Sequence, residues 1–184
     1  TTWLGQKNRI FKSRICNKIK IMLINSDNFK TIKNKKTTHI KNFTDLEIDY
    51  DFNFLIGFIE HYTCPVDHGG SYEKTWSTPV DGSHSSFLYI LNFLRKTFQY
   101  NFNEEDGCRL FFSFASNSGP SHVDREDVFL LGLYGKTVYK VEDNFYEIEK
   151  GDLLFVSRGS RHKAISITPR IVASFGFFGG KYGN

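Results

Sequence analysis

The sequence predicts a mainly β fold: an antiparallel sandwich or jelly roll with a few supporting helices. Three observations carry that expectation. After Gly107, seven short strand-like runs follow one another with turn signals between most of them, the pattern of many-stranded all-β domains. Phenylalanine (19) and tyrosine (9) dominate the large apolar side chains, and aromatic residues suit a pleated, half-buried surface. The best helical spacing in the chain is confined to one segment before those strands. A length of 184 residues with 40% hydrophobic content suits one domain with a sizeable core.

Taken in order, the chain begins with a basic lead-in. Residues 1–41 hold eleven Lys or Arg and one acid, Asp27, for a net +10. The remaining thirteen basic and nineteen acidic residues give −6, so the whole chain carries +4. We therefore divide the sequence into a basic extension over residues 1–42 and one domain over residues 43–184. Ile10, Phe11, Ile15 and Ile19 could line one stripe of a short amphipathic helix. An organelle-targeting segment, a nucleic-acid arm and a membrane-surface helix are the functional options. A disordered or non-native extension is the plainer one. The only methionine is Met22, so residues 1–21 could be native, targeting or an artefact.

Residues 43–60 mix acids and aromatics and suggest a strand or short helix. Residues 61–82 read as a loop, broken by Pro65, Gly69, Gly70, Pro79 and Gly82. Ser83–Ser86 then offer N-cap hydroxyls, and Phe87, Ile90, Leu91, Leu94 and Phe98 repeat at helical spacing. Arg95 and Lys96 near the end suit the negative pole of the helix dipole. The strands expected beyond are Arg109–Ala115, Asp127–Tyr134, Lys136–Glu142, Phe145–Ile148, Leu153–Ser157, Lys163–Ile167 and Arg170–Phe178. Gly135, Asp143-Asn144, Gly151-Asp152, Arg158-Gly159 and Thr168-Pro169 mark turns between them.

No apolar run approaches the roughly 18–20 residues of a membrane-spanning helix. Three widely spaced cysteines, Cys16, Cys64 and Cys108, do not make a disulfide framework, and a reduced, cytoplasmic setting follows. The modest net charge and the few aromatics in the basic lead-in disfavour a nucleic-acid partner.

The chemistry concentrates in two places. Ser121-His122-Val123-Asp124 sets an imidazole and a carboxylate two residues apart, on one face of an extended chain. His162 follows thirty-eight residues after Asp124, behind the Gly151-Asp152 and Arg158-Gly159 turns. If the strands roll up, His162 meets the first pair. Two imidazoles and a carboxylate on one face form the facial triad of non-haem Fe(II) oxygenases, which leaves open coordination positions.

Here the residues resemble a known family. SFASNSGPSHVDREDVFLLGLYGKTVYKV, then GDLLFVSRGSRHKA and ASFGF, are similar to the JmjC-type cupin Fe(II)/2-oxoglutarate-dependent oxygenases, nearest in motif to the ribosomal oxygenase branch. The resemblance covers roughly residues 107–178, with the helix at 83–99 in the place of a support helix. It implies a double-stranded β-helix, with Fe(II), 2-oxoglutarate and O₂ as cofactor and co-substrates. His122, Asp124 and His162 would be the metal ligands. The family usually carries a Lys or Arg two residues after the glycine equivalent to Gly135, pairing with the distal carboxylate of 2-oxoglutarate. This chain has Thr137 there. Lys136 and Lys140 have the opposite strand parity and need a bulge to face inward. Arg170, four residues before Ser174 and on the same strand face, is preferred, then Lys140, then Lys136. Many 2-oxoglutarate oxygenases outside the JmjC branch use an Arg and a Ser from this last strand. A proline common in the second motif is replaced by Ser157.

The expected function is hydroxylation, most readily of a protein side chain. A small-molecule or nucleotide hydroxylase, a non-oxygenase metal-binding cupin and a fold retained as a binding module are the alternatives. Metal cupins of the H-x-H plus Glu type differ here, since the middle ligand is Asp124, although Glu126 is nearby. The dimerisation region and winged-helix domain of ribosomal oxygenases have no counterpart in this sequence, so substrate and oligomeric state do not transfer; a homodimer is one option. Among minor features, His61, Cys64 and His68 lack the second knuckle of a zinc site. Glu104-Glu105-Asp106 reads as a solvated turn. Tyr134 and Tyr139 could line a pocket or pack in the core.

Overall fold

The computed structural model describes residues 24–46, 64–65, 76–80, 85–101, 103, 106–113 and 120–178. The amphipathic stripe at Ile10–Ile19, the His61/His68 pair, Glu104-Glu105, residues 47–60 and residues 66–75 lie outside the described residues.

Two helices and eleven strands are described. Helix α1 spans Ser26–Lys33 and α2 spans Ser85–Phe98. The strands are β1 (Thr38–Ile40), β2 (Cys64–Pro65), β3 (Trp76–Val80), β4 (Gly107–Ser113), β5 (His122–Val123), β6 (Asp127–Tyr134), β7 (Thr137–Val141), β8 (Asn144–Ile148), β9 (Leu153–Val156), β10 (Arg161–Ser166) and β11 (Arg170–Phe177). They form a seven-stranded sheet in the order β1-β9-β6-β11-β4-β3-β2 and a four-stranded sheet in the order β5-β10-β7-β8. Pairing is antiparallel throughout the described ladders. This is the jelly roll that the turn spacing predicts.

Strand alternation divides the core in two. Phe129, Leu131, Leu133, Leu153, Phe155, Ile171, Ala173 and Phe175 leave one face of the large sheet and pack under the helices. Helix α2 meets them with Phe87, Ile90, Leu94 and Phe98, the apolar stripe read from its spacing. Phe98 stacks on Phe129 with ring centroids 5.3 Å apart. The residues between, Val128, Leu130, Leu154, Val156 and Val172, face the small sheet and meet Tyr139, Val141 and Ile148.

The turns need particular backbone. Gly135 has φ +68°, and a Cβ there would lie 1.9 Å from the Pro169 carbonyl oxygen. No side chain fits the β6–β7 turn.

The structure adds detail in two stretches. Part of the basic lead-in packs on the fold. Asn25 caps α1 by accepting the Asn28 N–H at 2.8 Å, Ile32 is buried, and Phe29 stacks on Phe98 at 5.5 Å. Strand β1 then pairs with β9, Thr38 opposite Phe155. Residues 24–42 therefore belong to the fold. Eight helical residues with only Phe29 and Ile32 turned inward are too few for a periodic signal amid the lysines. The loop expected over 61–82 contains β2 and β3. Pro79 sits opposite Arg109 on β3, on the stretch of that strand that β2 does not cover. A strand with one neighbour tolerates proline there.

Candidate metal centre

Strand β5 lies against β10, with His122 opposite His162. Val123 between the ligand candidates is exposed, whereas His122 and Asp124 are partly buried, as period-two alternation requires. The other side of β10 pairs with β7, His162 opposite Val141. This double pairing buries His162 to 5% exposure while the His122 side chain keeps 42%. The cluster therefore sits at an open mouth of the barrel.

His122 Nε2 lies 3.6 Å from one Asp124 oxygen, and His162 Nε2 lies 3.3 Å from the other. One donor atom from each of the three residues falls within 4.8 Å of the others. Bonds of about 2.1 Å at right angles would separate neighbouring donors by about 3 Å, so the spacing suits three adjacent ligands of one ion. The second nitrogens are also arranged for it. His162 Nδ1 donates to the Ser160 carbonyl at 3.0 Å, and His122 Nδ1 donates to the Pro120 carbonyl at 3.3 Å. A carbonyl oxygen only accepts, so each Nδ1 carries the proton and each Nε2 turns to the cluster. Burial lowers the His162 pKa, but hydrogen bonds to Asp124 and Ser160, with the charges of Asp124 and Glu126, leave it raised overall.

A second polar group is buried inside the barrel. Arg170 starts β11 opposite Ser113 and is only 6% exposed. Its Nε donates to Ser113 Oγ at 3.4 Å, and Ser113 Oγ lies 3.1 Å from Ser166 Oγ. Thr137, opposite Ser166, is buried as well. Arg170 also lies near the Tyr139 hydroxyl. Burial, reinforced by the Asp124 charge, pushes that hydroxyl's pKa up although the Arg170 charge and hydrogen bond oppose it. Arg170 Nη1 has no hydrogen-bond partner among the described residues. A buried guanidinium left with an empty donor is costly unless an anion completes it.

The other cation candidates are not brought to this site. Lys136 pairs with Glu147 and Glu149 on the surface, at 2.8 Å each. Those two hydrogen bonds push its pKa up against desolvation, and the two carboxylate charges add to the rise. Lys140 lies over the Phe145 ring at 5.9 Å, and Phe145 is exposed. Strand β7 runs without a register shift against β8 and β10, so Lys140 keeps the parity opposite to Thr137 and Tyr139, and Lys136 precedes the strand. Ser174 is partly buried, opposite Leu130 of the inner face. Tyr134 is exposed, and Tyr139 is buried. Glu126 does not join the three-residue cluster and lies against Gly176. Sequence reasoning missed Ser113 and Ser166. Their signal is the register that sets them beside Arg170, which spacing along the chain does not reveal.

Two facing antiparallel sheets with a His–Asp–His cluster define a jelly roll with a candidate metal centre. No protein-family model and no curated protein matches this sequence. Among solved structures, the fold is similar to that of YcfD, a ribosomal oxygenase from Escherichia coli, with a TM-score of 0.69 and 17% identity over 91% of this chain and 53% of that one. It is also similar to YcfD in complex with cobalt and 2-oxoglutarate (TM-score 0.66, 18% identity, 91% of this chain and 54% of that one). A third structure holds cobalt and succinic acid (TM-score 0.62, 19% identity, 91% and 54%). The chain spans about half the length of these structures, and at this identity the likeness is one of fold. No helix among the described residues is long and apolar enough to cross a membrane.

Proposed function

We propose that this chain is a cytoplasmic Fe(II)- and 2-oxoglutarate-dependent oxygenase that hydroxylates a protein side chain. The observation that carries the reading is the pairing of two sites within one barrel. The His122–Asp124–His162 cluster is at the mouth, and a buried arginine with an unfilled donor lies inside. His122, Asp124 and His162 would hold Fe(II) through Nε2, a carboxylate oxygen and Nε2. Neutral nitrogen and carboxylate donors suit that ion, and three of them leave positions open. Bound there, Fe(II) supplies the chemistry that couples O₂ and the decarboxylation of 2-oxoglutarate to succinate and CO₂ with hydroxylation of a C–H bond.

The chain's own residues do the rest. Ser160 and Pro120 carbonyls fix the ring orientations of the two histidines. Arg170 would pair with the distal carboxylate of 2-oxoglutarate, with Tyr139, Ser113, Ser166 and Thr137 supplying hydroxyls around it. In that way Arg170 would replace the cation absent at Thr137. Val128, Leu130, Leu154, Val156 and Val172 exclude water between the sheets, which strengthens the contact. The partly exposed His122 and the exposed Val123 beside it leave the mouth open to a bulky substrate, which supports a protein side chain over a small metabolite.

The test is succinate formation from 2-oxoglutarate by the purified protein with Fe(II), first alone and then with candidate peptides. Turnover stimulated by a peptide is the expected result. Metal-dependent binding of N-oxalylglycine by calorimetry separates an oxygenase from a metal cupin of another kind. If the iron-loaded protein neither forms succinate nor binds the analogue, the reading fails.

A further inference from the structure

Asp127 stands three residues beyond Asp124 at the start of β6 and is 2% exposed. A carboxylate so buried must be almost fully hydrogen-bonded. Its Oδ2 accepts the Tyr100 hydroxyl at 2.9 Å and pairs with the Lys35 ammonium. Burial, then the Asp127 charge, pushes the Tyr100 pKa up, so the hydroxyl remains a donor. Its Oδ1 accepts the backbone N–H of Arg158 at 3.0 Å.

That last contact reaches the turn between β9 and β10. The next residue, Gly159, has φ +81°, and its N–H donates to the Asp124 carbonyl at 3.1 Å. Ser160 N–H closes the turn on the Ser157 carbonyl at 3.1 Å, and the two serine hydroxyls lie 2.9 Å apart. The Ser160 carbonyl then takes the Nδ1 proton of His162. One four-residue turn thus holds the backbone of Asp124 and the ring of His162, and Asp127 holds the turn. Lys35 follows α1 in the left-handed region, with φ 57°, and brings its charge from the basic lead-in.

We infer that Asp127 is a positioning residue for the metal centre: it sets the Ser157–Ser160 turn that aims Asp124 and His162, with Lys35 holding its charge in place. The inference rests on the metal-site reading above. A merely structural carboxylate would alter stability and leave the geometry of the ligands alone.

Co(II) added to the metal-free protein is the probe, followed by visible absorption and by thermal unfolding. Asp127→Ala should weaken Co(II) binding by about 10–100-fold, the usual effect of removing an outer partner of a ligand, and shift the d–d bands. Asp127→Asn keeps an acceptor for the Arg158 N–H and should recover part of both. Leu131→Ala, under the helices, should lower the unfolding temperature and leave the Co(II) dissociation constant and spectrum as in the wild type. The inference is overturned if Asp127→Ala binds Co(II) with wild-type affinity and spectrum, or if Leu131→Ala weakens the site equally. Should Asp127→Ala not fold, Lys35→Met carries the test: weaker binding with a shifted spectrum supports the inference, and wild-type values overturn it. Wild-type protein that binds no Co(II), or binds it equally well with His162→Ala, overturns the metal-site reading and this inference together. Binding lost in His162→Ala but unchanged in Asp127→Ala overturns the inference alone.

Discussion

The two faces of the large sheet are built from the same strands and do opposite work. Along β6, Phe129 and Leu131 turn toward the helices while Val128 and Leu130 turn toward the small sheet. Along β11, Ile171, Ala173 and Phe175 go one way, and Arg170, Val172 and Ser174 the other. The helix-facing side is largely apolar over the described residues, with Asp127, Tyr100 and Lys35 as a paired polar group at its edge, and draws its stability mainly from burial. The inner side gives up part of that gain. It buries Arg170, Thr137, Ser113, Ser166 and His162 among the aliphatic residues. Polar groups tolerated at such cost are where a function is expected. The contrast separates an inner side that concentrates buried polar groups from a helix-facing side that is mostly apolar core.

The largest effect should come from breaking the inner side at its mouth. Asp124→Ala is expected to abolish metal binding and succinate formation while the protein still folds, checked by metal content and by circular dichroism. Retained turnover would remove Asp124 from the site. The counterpart on the outer side is Phe129→Ala, which should cost about 3–5 kcal/mol in urea unfolding and leave metal affinity unaltered in whatever fraction remains folded. Together these two changes separate scaffold from site.

Arg170→Met sharpens the division within the inner side. It should raise the KM for 2-oxoglutarate by about 30-fold or more, in line with loss of one partner of a buried charge pair, and leave Co(II) binding intact. An unchanged KM would mean that another group holds the co-substrate. On the outer side, burial pushes the Cys108 thiol above its ordinary value of 9.0. A group whose pKa is raised by folding stabilises fully below its unfolded value and loses that contribution as pH rises past it. Unfolding midpoints should therefore decline above about pH 9, less steeply in Cys108→Ala, and equal slopes would contradict the assignment. The smallest effect is expected at Lys136, outside both cores. Lys136→Ala should leave succinate formation and the 2-oxoglutarate KM where they are, because its surface carboxylate partners already satisfy it.

The sequence by itself determined the local facts. Turn residues such as Gly135 and Gly159 and the alternation between them delimit β6 to β11 to within a residue or two, because a strand's boundaries depend on neighbours in the chain. The stripe Phe87–Phe98 marks α2 for the same reason. His122 and Asp124 share a face because two residues of extended chain return to it. Only the tertiary structure decided what depends on pairing. Register sets Ser113 and Ser166 beside Arg170, and parity within paired strands turns Lys140 outward. Contacts with β9 and α2 draw residues 24–42 into a domain from which their charge had seemed to exclude them. The buried carboxylate of Asp127 joins Lys35, Tyr100 and Arg158, residues spread over more than a hundred positions. No local pattern encodes such a meeting, because the burial and hydrogen bonding that stabilise it exist only once the sheets have closed.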